Sequence, residues 1–302
     1  MYFLRKTLLG ENVEFFNGSI WKPISQYKKD DKVLIYYTDG TVALSTPIEY
    51  IKLYKANLNN VKSSMFNADI NDDATFYGIR RDIKISSNED TVKTITLKQS
   101  YLEDFNYFTH YELISTFQNV DIISKSMLSE DKLKIMTYAI TLGKIKNNDC
   151  KIKLNDRVLA SHIASLLNKN KIRYKYNIKS LTIEFRLPRN IDVFIHNPLI
   201  FSQKEIMTMI YLIIDTLGDK YIKPVSKDYL DFIQFIFALG GKRTNIIGDK
   251  LRMYVGKYTR LQAPLFKIEE KKTTIQYSFT VRSGLVVLRS NGLIFVLTDY
   301  KR

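Results

Sequence analysis

Lysine and arginine recur at every second position in short stretches of this chain. Lys151 and Lys153 alternate with Ile152 and Leu154, Arg173 and Lys175 alternate with Tyr174 and Tyr176, and Arg186 closes the run Leu181-Thr182-Ile183-Glu184-Phe185-Arg186. An extended strand sends neighbouring side chains to opposite faces, so each stretch offers one cationic face and one face that can pack. Such rows bind phosphates, and in the major groove of B-DNA they also reach the acceptors of guanine. The setting of this ladder occurs twice. An apolar helix from Asp131 runs through Leu142 and Gly143 into Lys144, Lys146, Lys151 and Lys153. A second, from Lys204, runs through Leu217, Gly218, Asp219 and Lys220 into Tyr221, Ile222 and Lys223. A duplicated helix-and-basic-sheet unit predicts a pseudo-symmetric body for a partner with its own two-fold symmetry, for which double-stranded DNA is the candidate. Lys242, Arg243 and Arg252 extend the set of candidate DNA contacts.

Composition agrees with an anionic partner. The 302 residues carry 46 Lys and Arg against 31 Asp and Glu, a formal charge of +15. Charge of that size costs self-repulsion unless a partner neutralises it, and nucleic acid ranks ahead of an anionic membrane surface. Cys150 is the only cysteine, so no disulfide can form within the chain. Three scattered histidines give no zinc spacing, and the expected compartment is reducing and cytoplasmic. The longest apolar run, Ile206 to Leu217, is interrupted by Thr208 and Asp215 and falls short of the roughly 18 residues that suggest a membrane span. No signal-peptide core is expected after Arg5 and Lys6, because Gly10, Glu11 and Asn12 follow.

The elements that must position these side chains change character along the chain. From Val13 to Lys55 the text is β, with turn signals at Asn17-Gly18 and Asp39-Gly40, and it continues less clearly to about Leu113. From Ser129 the period becomes 3.6, with Leu133, Met136, Ala139, Ile140 and Gly143 on one face. Further helices are expected at Asp156 to Asn168, Gln203 to Leu217 and Lys227 to Leu239, with Asn155 and Ser202 as caps. From Lys267 the β text returns, with turns at Ser283-Gly284 and Asn291-Gly292. The expected class is α+β: residues 1–122 and 263–302 form one all-β domain around an insertion at 123–262.

Two resemblances follow from these residues. The helix Ile206 to Leu217 with Gly218-Asp219-Lys220-Tyr221-Ile222, and the stretch Lys227 to Gly241 after it, resemble the LAGLIDADG homing endonucleases. In that family two such helices pack together and each ends in an acidic residue. Tyr138-Ala139-Ile140-Thr141-Leu142-Gly143-Lys144 is similar, with lysine where the acid belongs. The flanks resemble the Hint domain of inteins. Asn12 to Ser19 and Asp31 to Leu34 look like the first intein block and its following strand, and Gly284 to Val296 is similar to the terminal blocks. The resemblance implies a Hint-like β domain carrying a pseudo-two-fold insertion, αββαββ duplicated, in a monomer.

It also implies roles. Asp219 would hold Mg2+ or another divalent cation that activates water, and Lys144 stands at the paired position. Splicing needs a nucleophile at the first residue, an activating Thr and His, and a terminal Asn followed by a nucleophile. Asn71 and Ala74 stand where the Thr and His belong, and Asp299 and Tyr300 where the terminal pair belongs. Without imidazole, thiol or cyclising amide the acyl shifts have neither base nor nucleophile. The expectation is therefore a freestanding, intein-derived, LAGLIDADG-like protein that binds duplex DNA, does not splice, and has at least one degenerate nuclease site. If it is an enzyme, it is a metal-dependent endonuclease or nickase. The alternative is a non-enzymatic DNA-binding, transcription-associated or structural protein of a phage or other mobile element, with a protein partner for the Hint-like part.

Overall fold

The computed structural model describes residues 6–54, 57–62, 66–71, 74–82, 92–96, 109–119, 128–217, 221–224, 226–254, 258–261, 267–272 and 275–299. It is predominantly β, and the chain divides into two compact units: Met1–Val120 with Gly241–Asn245 and Tyr254–Arg302, and Asp121–Gly240 with Ile246–Met253.

The first unit is built from both ends of the chain. Its centre is the hairpin Leu285–Ser290 and Leu293–Thr298, which pairs antiparallel throughout. Asn291 (φ 49°) and Gly292 (φ 75°) make its turn, both in the left-handed region that a two-residue type I′ hairpin requires. Val13–Phe16 and Val33–Tyr36 pair with the first hairpin strand, and Thr75–Asp82 pairs with the second. Ile275–Thr280 pairs with Glu49–Tyr54, and Lys267–Lys272 with Asn57–Lys62. Every residue of both hairpin strands is buried; Leu285–Leu288 and Leu293–Leu297 read as continuous apolar runs, and buried Arg289 pairs with Glu14 at 2.6 Å. Phe66, Phe76 and Phe295 form one aromatic cluster of the core; Phe15, Tyr27 and Phe279 form another.

The second unit holds the α-helices of the described residues. They are α1 (Glu130–Leu142), α2 (Arg157–Lys169), α3 (Ile191–Ile195), α4 (Gln203–Leu217) and α5 (Lys227–Leu239). The bounds of α4 and α5 match the sequence expectation. α2 starts one residue late because Asp156, not Asn155, is the cap: its Oδ1 accepts from the Val158 N–H at 2.7 Å. Ser202 and Glu205 form a reciprocal capping box at the start of α4. α5 is buried on nearly all sides, from Tyr229 to Leu239 with only Asp231 partly exposed. The short α3 was not foreseen.

Strands β1 (Gly143–Lys146), β2 (Asp149–Lys153), β3 (Tyr174–Asn177) and β4 (Thr182–Arg186) form an antiparallel sheet in the order β1-β2-β4-β3. With α1 and α2 this completes one αββαββ unit. The second copy is not a full duplicate among the described residues. Between α4 and α5 stands only β5 (Tyr221–Ile222), and after α5 come β6 (Thr244–Ile247) and β7 (Lys250–Met253), with β5 paired to β7. Fourteen residues (143–156) separate α1 from α2, but nine (218–226) separate α4 from α5. The shorter connector includes Pro224, which lacks a ladder donor.

Candidate nucleic-acid interface

The hairpin β1–β2 turns through Asn147 (φ 51°) and Asn148 (φ 66°), a two-residue loop in the left-handed region that fixes the strand register. Lys144 then lies opposite Lys151, and Lys146 opposite Asp149. On the other side of β2, Lys151 lies opposite Glu184, Asp149 opposite Arg186, and Lys153 opposite Thr182; Lys175 on β3 lies opposite Glu184. Because side chains alternate, Lys144, Lys146, Lys151, Lys153, Lys175 and Arg186 share one face, and all six are exposed. Cys150, Ile152, Ile183 and Phe185 are buried on the opposite face, where α1 and α2 pack. Arg173, just before β3, joins Lys151, Lys175 and Arg186 around an open depression of about 540 Å³.

Two carboxylates interrupt this field. Glu184 Oε1 accepts from Lys151 Nζ at 2.6 Å, and this bond, with the further charge of Lys175, holds the Glu184 carboxyl below the usual range. Lys144 and Lys151 are directly opposite like charges, an arrangement that destabilises a sheet unless an anion lies across it.

The other predicted contacts are dispersed. Lys223 pairs with Asp249 at 2.5 Å, and Arg252 lies 5.8 Å from the ring centre of Tyr221. Lys242 and Arg243 belong to the first unit. Arg243 is buried, with its guanidinium 4.3 Å from the ring centre of Tyr254, so it is a packing cation rather than one presented to solvent. Asp219 and Lys220 lie outside the described residues. Lys144, at the paired position, is an exposed ammonium with no lone pair for a metal. No group of three or more His, Cys, Asp and Glu that could hold a metal occurs among the described residues.

Near the end of α1, Tyr138 is buried, and its hydroxyl is pushed up by burial and by the charge of Asp215 on α4. α1 and α4 pack against each other. The sequence offered Asp215 only as a break in an apolar run. His162 meets the Tyr138 ring edge-on at 6.2 Å.

The positions that the Hint resemblance assigns to splicing lie in the first unit. Asn71 Oδ1 accepts from the Leu8 N–H at 2.9 Å, and its Nδ2 donates to the Lys6 carbonyl at 3.0 Å. The Thr7 N–H donates to the Asp299 carbonyl at 3.2 Å, and Asp299 Oδ2 accepts from the Val281 N–H at 2.8 Å. Ala74 is fully buried, and Tyr300 lies outside the described residues. No helix of the described chain is long and apolar enough to cross a membrane.

No protein-family model matches the chain. No curated protein matches it. Among solved structures it is similar to a splice-inactive, GSH-linked variant of the AceL NrdHF class 3 split intein, with 7% identity over 97% of this chain and 98% of that one and a TM-score of 0.39. A score that low establishes no shared fold.

Proposed function

We propose that this chain binds double-stranded DNA through the exposed face of the β1–β4 sheet, as a LAGLIDADG-type module carried by a Hint-like frame that does not splice. One observation carries the reading: six cations stand exposed on one face of a four-stranded sheet whose other face is closed by helices. Such a face neutralises phosphates and releases their counterions, so affinity falls steeply with salt. The Hint-like part of the reading is supported by the joint use of both chain ends in one β unit, and by Asn71 and Asp299 meeting the segment Lys6 to Leu8.

The test is fluorescence anisotropy of a labelled duplex across a salt series. Each phosphate neutralised contributes roughly −0.9 to the slope of log affinity against log salt. Lys146→Ala is expected to weaken binding to all sequences alike and to reduce that slope by about 1. Absence of duplex binding, or binding that salt leaves unchanged, overturns the proposal.

A further inference from the structure

The two carboxylates of the basic face are not scattered. Both lie on the central strands, Asp149 on β2 and Glu184 on β4, whereas the edge strands offer this face no carboxylate, only Lys144 and Lys146 from β1 and Lys175 and the neutral Asn177 from β3. Each carboxylate has a cation as its direct cross-strand partner. Lys151 faces Glu184 and is bonded to it, and Arg186 faces Asp149. The two couples are reversed: in one the cation is on β2 and the acid on β4, and in the other the acid is on β2 and the cation on β4.

A four-stranded sheet with strands about 4.8 Å apart spans roughly 14 Å. The major groove is about 12 Å wide. A sheet lying along that groove brings its edge strands to the two phosphate walls and its central strands over the base edges. A carboxylate at the wall would be repelled; over the bases it can accept from the exocyclic amine of cytosine, while Lys or Arg beside it donates to guanine O6 and N7. A cation–carboxylate couple therefore matches the acceptor-beside-donor pattern of a G·C pair. Along a strand the couples are two residues apart, roughly 6.8 Å, which equals two base-pair steps of about 3.4 Å.

Resting on the duplex-binding reading above, we infer that Lys151–Glu184 and Arg186–Asp149 determine specificity by reading two G·C pairs of opposite orientation separated by one unread pair. Lys144, Lys146 and Lys175 hold the flanking phosphates. Glu184 also weakens binding to other sequences, because its carboxylate occupies Lys151 and repels a misplaced phosphate.

The experiment is affinity selection from a randomised DNA duplex library with the full chain and with Glu184→Gln, an isosteric change at a half-exposed side chain. The wild type is expected to enrich G-N-C or C-N-G. Glu184→Gln should lose about tenfold preference at one of the two G·C positions, keep the other, and bind non-cognate duplex severalfold more tightly at low salt. Salt-sensitive binding by the wild type without that G·C spacing, or the same enrichment in Glu184→Gln, overturns this inference and leaves the duplex-binding reading standing. Equal affinity of the wild type for duplex RNA, whose deep narrow major groove side chains cannot read, also overturns it. Failure of the wild type to bind any duplex overturns both.

Discussion

Cys150 lies beneath the basic face, and burial pushes its thiol up to about 12. A folded-state value above the unfolded one means that the neutral thiol favours the native state. That contribution is complete below the ordinary thiol value of 9.0 and is lost as pH rises from there toward 12. The expected outcome is a native protein that reacts slowly with a disulfide reagent at pH 8, reacts fast once denatured, and becomes less stable to urea above about pH 9. Fast native reaction at pH 8 would contradict the packing of β2 against α1. The lone cysteine was plain in the sequence. Its inertness was not, because burial depends on which face of β2 meets the helices.

At the scale of elements, much was legible where one period held over many residues. α4 and α5 were readable to the residue because apolar side chains recur at helical spacing, a serine precedes each helix and a glycine follows its last leucine. The basic strands were readable from alternation. The pairing of Lys151 with Glu184 was not, since it joins residues 33 apart through the β2–β4 register, and no local turn links those two strands. The difference between the two copies among the described residues was hidden for another reason: Leu-Gly recurs in both, while the connector after the second is shorter and holds Pro224. In the first unit, Asn71 ties the segment Lys6 to Leu8 into the sheet. Asn71→Ala should remove two hydrogen bonds worth about 1–3 kcal/mol together and speed exchange of the Leu8 amide by tenfold or more, with the β1–β4 amides unaffected. Unchanged Leu8 protection would show that Asn71 does not hold the segment.

For the molecule as a whole, the resemblance to an endonuclease and the charge of +15 make separate demands. Binding needs only the cationic face. In the proposed LAGLIDADG-type module, strand cleavage would need a charged centre where divalent ions are shared, and Lys144 would offer no ligand at one of its two positions. The consequence is an asymmetric prediction. In a magnesium or manganese nicking assay, any cleavage by the wild type should fall on one strand and be abolished in Asp219→Ala, while duplex affinity changes little. Double-strand cleavage that survives Asp219→Ala would overturn the role assigned to Asp219.

The edge strands of the β1–β4 sheet have a consequence apart from DNA. A free sheet edge is a template on which another chain can add a strand, and proteins commonly protect such edges with lysine. Lys144 and Lys146 line one edge here, and Lys175 stands on the other. The charges that would grip phosphates therefore also keep one copy of this chain from zipping onto the next. Evolution toward weaker DNA binding by neutralising these positions would trade a nucleic-acid partner for self-association.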